Sequence, residues 1–553
     1  MDSGNILYPV VNSMTYKSDS VPVIVLKEGA SETKGRDALR NNIKAAKLIS
    51  EVVESCLGPR GMDKMLVDSM GDVTITNDGA TMLKQLDVQH PGAKMMVEIA
   101  KATDSEVGDG TTSAVILAGS LLEKAEELLD KDVHPTIIVD GYTLASEKAL
   151  DVLAKIAIKV DPTDKEWLVK ISKTSLASKL VSQESVDLSN IVVDAVLHVV
   201  EKSGEKLKVD IDNVKVEKKP GRSLSDTALI SGIIIDKEVV HAGMPKKVEG
   251  ARIALLNSPL EIKKTEMSAE IRISDPTQMK SFLDEEARML RGMVDKVIGI
   301  GANVVFVQKG IDDIAQHYLA KAGIMAVRRV KESDMTRLAK ATGGRMVTDL
   351  SDLTRDDLGH AALVEERKIE QDKWVFVEGC KNPMAVSILL RGGSQRVVDE
   401  GERALHDAIM VVKDVIEKPS VVCGGGAPEA EIAHRIRAWT HTLSGREQLA
   451  AQAFADALEV IPLTLASNAG MDPIDTQVDL RAAHSKNKTW AGINVSDGKV
   501  GDMEKEEVFE PAVVKSQIIK SATEAAIMIL RIDDVIASKG MGREGGGPPP
   551  GGM

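Results

Sequence analysis

The stretch EVGDGTTSA, Glu106–Ala114, places an acid in a turn otherwise suited to phosphate. Gly108 and Gly110 permit close backbone approach. The amides from Gly110 to Ser113 would project from a helix N-terminus, where unpaired N–H groups and the helix dipole attract anions. Thr111, Thr112 and Ser113 add hydroxyl donors. Asp109 would repel a bare phosphate, yet it becomes favourable with a magnesium ion in between, since Mg²⁺ takes one or two carboxylates together with phosphate oxygens. Read alone, the nonapeptide is equally an Asp-Gly turn with a threonine N-cap.

A second stretch, TNDGATML, repeats the design at Asp78-Gly79, so two carboxylates could reach one cleft. Leu57-Gly58-Pro59 and the glycines Gly424, Gly425 and Gly426 of CGGGAPEAEIA are further turns next to helices. Four such turns suggest a nucleotide pocket assembled from several helix ends. There is no GxxxxGK[ST] and no GxGxxG after a strand, which excludes a Walker loop and leaves a dinucleotide fold unsupported. Asp407 sits in GERALHDAIMVVKDVIE, where Glu400, Arg403, Asp407 and Asp414 read as a solvated helix face. Lys179 in TSLASK and Glu510 in VFEPAVVK are ordinary by themselves. The 10 histidines form no HxxxH pair, so no zinc site is expected.

The elements that must position these residues follow from periodicity. Leu39, Ile43, Ala46, Val53 and Leu57 recur at helical spacing, and LGPRG then stops the helix. Two short strand-like pieces follow with a hairpin turn at Gly71-Asp72. A helix to about Ala102, the GDGTT turn and a helix to about Asp130 come next. Between roughly 208 and 390, the β-branched runs ALISGIIIDKEVV, ARIALLN, NVVFVQ, MAVRRV, KWVFVEG and AVSILLRG alternate with helical stretches, which predicts an α/β unit. Within it, Asp275 and Pro276 open a helix with apolar Met279, Leu283, Leu290, Met293 and Val297, and Phe282 and Met289 widen the stripe beyond one partner surface. Helical texture returns after Ser394, with a strand-like break near 490–500. Helices at both ends around an α/β middle point to a discontinuous domain with a large insertion.

The totals bound the function. A chain of 553 residues should form about three domains of ~100–200 residues each. With 43% hydrophobic and 28% charged residues it has a globular balance, and at 2% aromatic the core must be aliphatic. A net charge of −14 and scarce aromatics argue against nucleic-acid partners. Cys56, Cys380 and Cys423 form no CxxC, which suits a reducing cytoplasm. Neither a signal peptide nor a membrane span is expected. Residues 1–13 read as an extension or upstream start, and GREGGGPPPGGM as a disordered tail.

Several long motifs, in order, carry a resemblance: LGPRGMDKMLVDSMGDVTITNDGAT, VGDGTTSAV, DKEVVHAGMPKKV, GIDDIAQHYLAKAGI, GREQLAAQAFADALEVIP and ATEAAIMILRIDDVI. From about Val21 to Gly540 the chain resembles the archaeal group II chaperonins, the thermosome family. The resemblance implies a multidomain chaperonin fold with a mainly α-helical discontinuous equatorial ATPase domain (1–163 and 422–540). A small α/β intermediate domain (164–234 and 388–421), an α/β apical domain with a helical protrusion (235–387) and a tail (541–553) would complete it. It implies an ATP-dependent chaperone that encloses non-native protein clients in a homo- or hetero-oligomeric double ring of eight or nine subunits per ring. The alternative is a nucleotide-binding ring scaffold or holdase with little turnover.

By the same resemblance Asp109 matches the Mg²⁺ ligand, and Gly110, Thr111, Thr112 and Ser113 the phosphate turn. Gly58 and Pro59 match the turn beside the nucleotide, Gly425 the glycine near the ribose, Glu510 the acid at the ribose hydroxyls and Asn494 part of the base pocket. Asp78 and Asp407 match the carboxylates that act on the attacking water, and Lys179 the γ-phosphate sensor. Helix 276–297 matches a built-in lid. Cys423 and Pro428 depart from the pattern of some relatives.

Overall fold

The computed structural model describes residues 31–179, 181–204, 206–262, 276–380 and 384–537. The N-terminal extension, the Gly/Pro tail and the expected cap Asp275 lie outside them. Buried apolar residues gather in three main clusters.

The first is helical. Helix Thr111–Asp130 lies at its centre, with Val115, Ile116, Leu117, Ala118, Leu121 and Leu122 fully enclosed. A helix apolar on every side must be covered on every side. Helices Gly35–Glu54, Pro91–Val107, Glu447–Leu458 and Ala512–Leu530 supply that cover, so both ends of the chain share one core. Strand Ser31–Lys34 pairs antiparallel with Asp534–Ala537. The expected hairpin is present as Lys64–Val67 against Val73–Thr76. Two details differ from expectation. The helix expected to stop near Ala102 continues to Val107, where Gly108 ends it in a left-handed conformation. The next helix is capped by Gly110, at φ 77°, and not by a threonine; the positive φ is what selects glycine there.

The second cluster surrounds a sheet ordered Met325–Val327, Val304–Val307, Lys247–Leu256, Gly359–Ile369, Asp372–Glu378, Gly232–Ile235, with Met346–Val347 also paired to Lys247–Leu256. The first three strands are parallel and the rest antiparallel. Strand Gly359–Ile369 is central, yet it is absent from the expected runs. Its second half, VEERKI, reads as charged, but in the sheet Arg367 bonds Glu365 and Glu378 and offsets those charges. In helix Pro276–Gly299, Leu290, Val294 and Val297 enter this core, while Phe282, Leu283 and Met289 remain 47, 55 and 46% exposed. The surplus Phe282 and Met289 therefore face away from the core, and so does Leu283, which the spacing places on the core stripe.

The third cluster packs helices Lys165–Ala177, Ser185–His198 and Gln395–Glu417 on a sheet ordered Val214–Pro220, Val386–Gly392, Ala228–Ile230. Here the reading of a solvated face on Gln395–Glu417 is overturned. Glu400, Asp407 and Asp414 are only 3, 6 and 7% exposed, and Arg403 alone on that face stays partly open. The helix is covered by Lys165–Ala177 and Ser185–His198 and also leans on the first cluster, where a Cβ on Gly108 would lie 2.4 Å from that of Met410. Among the described residues one helical stretch, Glu447–Asn468, is long and apolar enough to cross a membrane, and 67% of its apolar window is buried in the protein.

Candidate nucleotide site

Two helix N-termini meet at the centre of the site. A Cβ placed on Gly79 would sit 2.7 Å from the Thr112 hydroxyl oxygen and 3.1 Å from its amide nitrogen, so glycine lets helix Gly79–Gln85 abut helix Thr111–Asp130 without a shift. Each start carries a carboxylate. Asp78 caps the first helix by accepting from the Thr81 amide at 2.7 Å, and its other oxygen accepts from the Thr111 hydroxyl at 3.3 Å. Asp109 accepts from the Gly110 amide at 2.7 Å and from the Ser175 hydroxyl at 2.9 Å. The amides of Thr111, Thr112 and Ser113 occupy the first turn, where no intrahelical acceptor is available.

A third carboxylate arrives from the buried helix Gln395–Glu417. Lys179, just beyond helix Lys165–Ala177, bonds Asp407 Oδ2 at 2.7 Å, both side chains being 9% exposed. Burial works against the Lys179 charge, but Asp407, Asp109 and Asp78 together raise its pKa. Burial also raises Asp407 well above the usual carboxylate range, and Asp78 and Asp109 add to the rise while Lys179 opposes it. For Asp78 burial is outweighed by Lys179 and by the Thr81 and Ala80 amides, which hold it below its ordinary value. One lysine thus faces three acids, and the excess negative charge suits a cation.

Among the described residues no three His, Cys, Asp or Glu side chains stand close enough to cage a metal. A divalent ion here would complete its shell from water and ligand oxygens, as Mg²⁺ does beside phosphates. A cavity of about 640 Å³ opens onto Asp78, Asp104, His406 and Asp407 and reaches Lys215 in strand Val214–Pro220 and Arg337 in a helix, Glu332–Thr342, of the second cluster; the glycine turns do not line it.

The remaining predicted residues form a second group. A Cβ on Gly424 would lie 2.5 Å from Glu510 Oε1. Lys515 bridges Glu510 at 2.7 Å and Glu429 at 2.9 Å. Burial raises the Glu510 carboxyl, Lys515 lowers it, and Glu429 and Asp109 raise it further, so the two groups are electrostatically linked. The Gly425 carbonyl accepts from the Ile493 amide at 2.8 Å. Asn494 uses its Oδ1 to accept from the amides of Ser496 and Asp497, which commits that oxygen to the turn. Gly58 and Pro59 enter through helix Val460–Asn468, where a Cβ on Gly58 would strike Leu465. Pro428 occupies the first turn of helix Ala427–Thr440, a position that tolerates proline.

Residues 49–540 match the TCP-1/cpn60 chaperonin family model. Thermosome subunit alpha of Archaeoglobus fulgidus is 59% identical over 95% of this chain and 96% of its own length. Thermosome subunit beta of Thermococcus kodakarensis is 59% identical over 95% and 96%, and a thermosome subunit of Pyrococcus horikoshii 58% over 96% and 97%.

The chain belongs to the TCP-1/cpn60 chaperonin family. It has the multidomain chaperonin fold and is a group II chaperonin, an ATPase that assists protein folding and works as a subunit of a ring assembly for unfolded clients. This membership favours a hydrolysing chaperonin over a passive holdase. Several site-wall residues of this chaperonin escaped the sequence reading. Ser175 had a usable signal, standing one helical turn before Lys179. Lys515 also stood close, five residues after Glu510 in the same stretch, whereas Glu429 had no local signal because its partner Lys515 is distant in sequence.

Proposed function

We propose that this chaperonin subunit hydrolyses Mg²⁺-ATP with the two groups described above. The reading rests on one observation: Asp78, Asp109, Asp407 and Lys179 converge where two helix N-termini abut. Gly110, Thr111, Thr112 and Ser113 would bind the phosphates through amides and hydroxyls. Asp109 would hold Mg²⁺, whose contribution is to neutralise charge on the phosphate oxygens. Lys179 would contact the γ-phosphate. Asp78 and Asp407 would orient the attacking water and accept its proton, and the raised proton affinity of Asp407 suits the second task. Glu510 would bind the ribose hydroxyls, with Gly425, Gly58, Pro59 and Asn494 enclosing ribose and base.

We divide the chain into equatorial 1–163 and 422–540, intermediate 164–234 and 388–421 and apical 235–387, a division supported by the three clusters, although Cys423, Ala427, Met503 and Phe509 pack with the third. Asp407 and Lys179 then belong to the intermediate domain and Asp78 and Asp109 to the equatorial one. Hydrolysis would require the two to close on each other, linking chemistry to ring closure. The exposed Phe282, Leu283 and Met289 support helix 276–297 as a lid that meets its neighbours in the closed ring. The assembly would be a double ring of eight or nine subunits, of one or several kinds, acting in the cytoplasm without nucleic-acid or membrane partners.

Steady-state hydrolysis by the purified assembly tests the site. Turnover should require Mg²⁺, and Asp78→Asn should keep nucleotide binding while losing turnover; an unchanged rate refutes the role. Deleting 276–297 should spare hydrolysis and expose a captured client to protease. Continued protection would remove the lid reading.

A further inference from the structure

The wall that carries Asn494 is a small unit of its own. Its buried apolar core consists of Ala430, Ala466, Leu480 and Ile493. So few side chains, two of them alanine, give little hydrophobic adhesion. Polar clamps supplement it. Glu459 receives Arg437, Gln477 and Arg481, and Glu431 receives Arg435 and His484.

His484 is the joint of this unit. It ends helix Pro473–Ser485 and is 1% exposed. Its Nδ1 lies 2.6 Å from Glu431 Oε2, and its Nε2 donates to the Ala491 carbonyl at 3.0 Å. Glu431 stands in helix Ala427–Thr440, directly after the 424–426 glycine turn, and Ala491 opens the strand that ends at Asn494. One imidazole therefore ties together the two elements that present Gly425 and Asn494. Burial would raise the Glu431 carboxyl, but His484 and Arg435 hold it below its ordinary value, so the clamp is charge-assisted.

We propose that His484 is a positioning residue for nucleotide binding: it fixes the spacing between the 424–426 turn and Asn494, and so sets affinity for ribose and base without entering the hydrolytic step. The proposal rests on the reading of Gly425 and Asn494 as nucleotide contacts.

The test uses the intact assembly, with ATP kinetics and ADP calorimetry in Mg²⁺. His484→Phe should raise KM for ATP and Kd for ADP about tenfold and leave kcat within about twofold, the size expected for losing a charge-assisted bond. His484→Gln should recover part of the loss, because its amide can still donate to Ala491. A histidine that served stability alone would lower the unfolding midpoint without dividing KM from kcat. Unchanged KM in His484→Phe overturns the proposal. Should that variant fail to assemble, the nearly isosteric Glu431→Gln carries the same test: a raised KM supports the proposal and an unchanged one overturns it. Gly425→Val separates the two possible failures. If it leaves Kd for ADP unaltered, the pocket reading falls and this proposal with it. If it weakens binding while the His484 and Glu431 variants do not, only the positioning role falls.

Discussion

The two ends of the candidate site are built on opposite electrostatic plans. At the phosphate end three carboxylates share one lysine, and the groups come from two separate hydrophobic clusters. At the ribose end Lys515 lies between Glu429 and Glu510, and near Asn494 each buried acid has its own cations. The first is short of positive charge and straddles a joint, so it is completed by what binds there. The second is closer to balance before anything binds, because only the Glu429–Glu510 pair, which shares Lys515, keeps an excess acid. Kinetic consequences should therefore concentrate at one end and structural ones at the other.

Four variants would break or sharpen that contrast. The largest effect is expected for Asp407→Ala, which should lower kcat by ~10²–10⁴, the range for a lost general base, with Kd for nucleotide nearly unchanged. A normal single-turnover rate would remove Asp407 from the chemistry. Next comes Lys515→Met at the balanced end. Stranding two buried acids should cost about 3 kcal/mol in denaturant unfolding, and loss of turnover in a fully stable protein would contradict the contrast. Asp109→Ala should weaken Mg²⁺-ATP binding ~10–100-fold, the scale of lost charge-assisted contacts, and leave metal-free binding alone; equal affinity with and without Mg²⁺ in both proteins would refute it.

The smallest effect concerns Asp414, on the same helix as Asp407. Burial pushes its carboxyl up to about 7, and its Oδ2 has no hydrogen-bond partner. The folded state therefore holds a proton that the unfolded chain releases near pH 4. Stability from this group is fully present below that pH and is lost as pH rises through about 7. Asp414→Asn should flatten this decline and leave the protein more stable at neutral pH than the unmodified chain. An unchanged pH profile would mean that the acid is already ionised at no cost.

The sequence made the helix ends legible and hid what crosses between clusters. Asp78 and Asp109 could be read because an Asp-Gly turn before a helix is a local signal, and the hairpin at Gly71-Asp72 followed for the same reason. Asp407 was misread because its helix carries charges at solvent-like spacing, and its partner Lys179 lies 228 residues away. Only the family resemblance brought the two together. Strand Gly359–Ile369 was missed for a related reason: Arg367 pairs with Glu365 on its own strand and with Glu378 on the next, and Glu366 pairs with Lys246. In each case the partner that makes burial tolerable is supplied by tertiary structure.

Strand Ser31–Lys34 lies beside Asp534–Ala537, with Ser31 opposite Ala537. The first and last described residues therefore lie side by side, within about a strand spacing of each other. A short peptide joining Ser31 to Ala537 would therefore need to span only about one strand spacing. A circular permutant closed by such a link and reopened in a surface loop should keep these two strands paired.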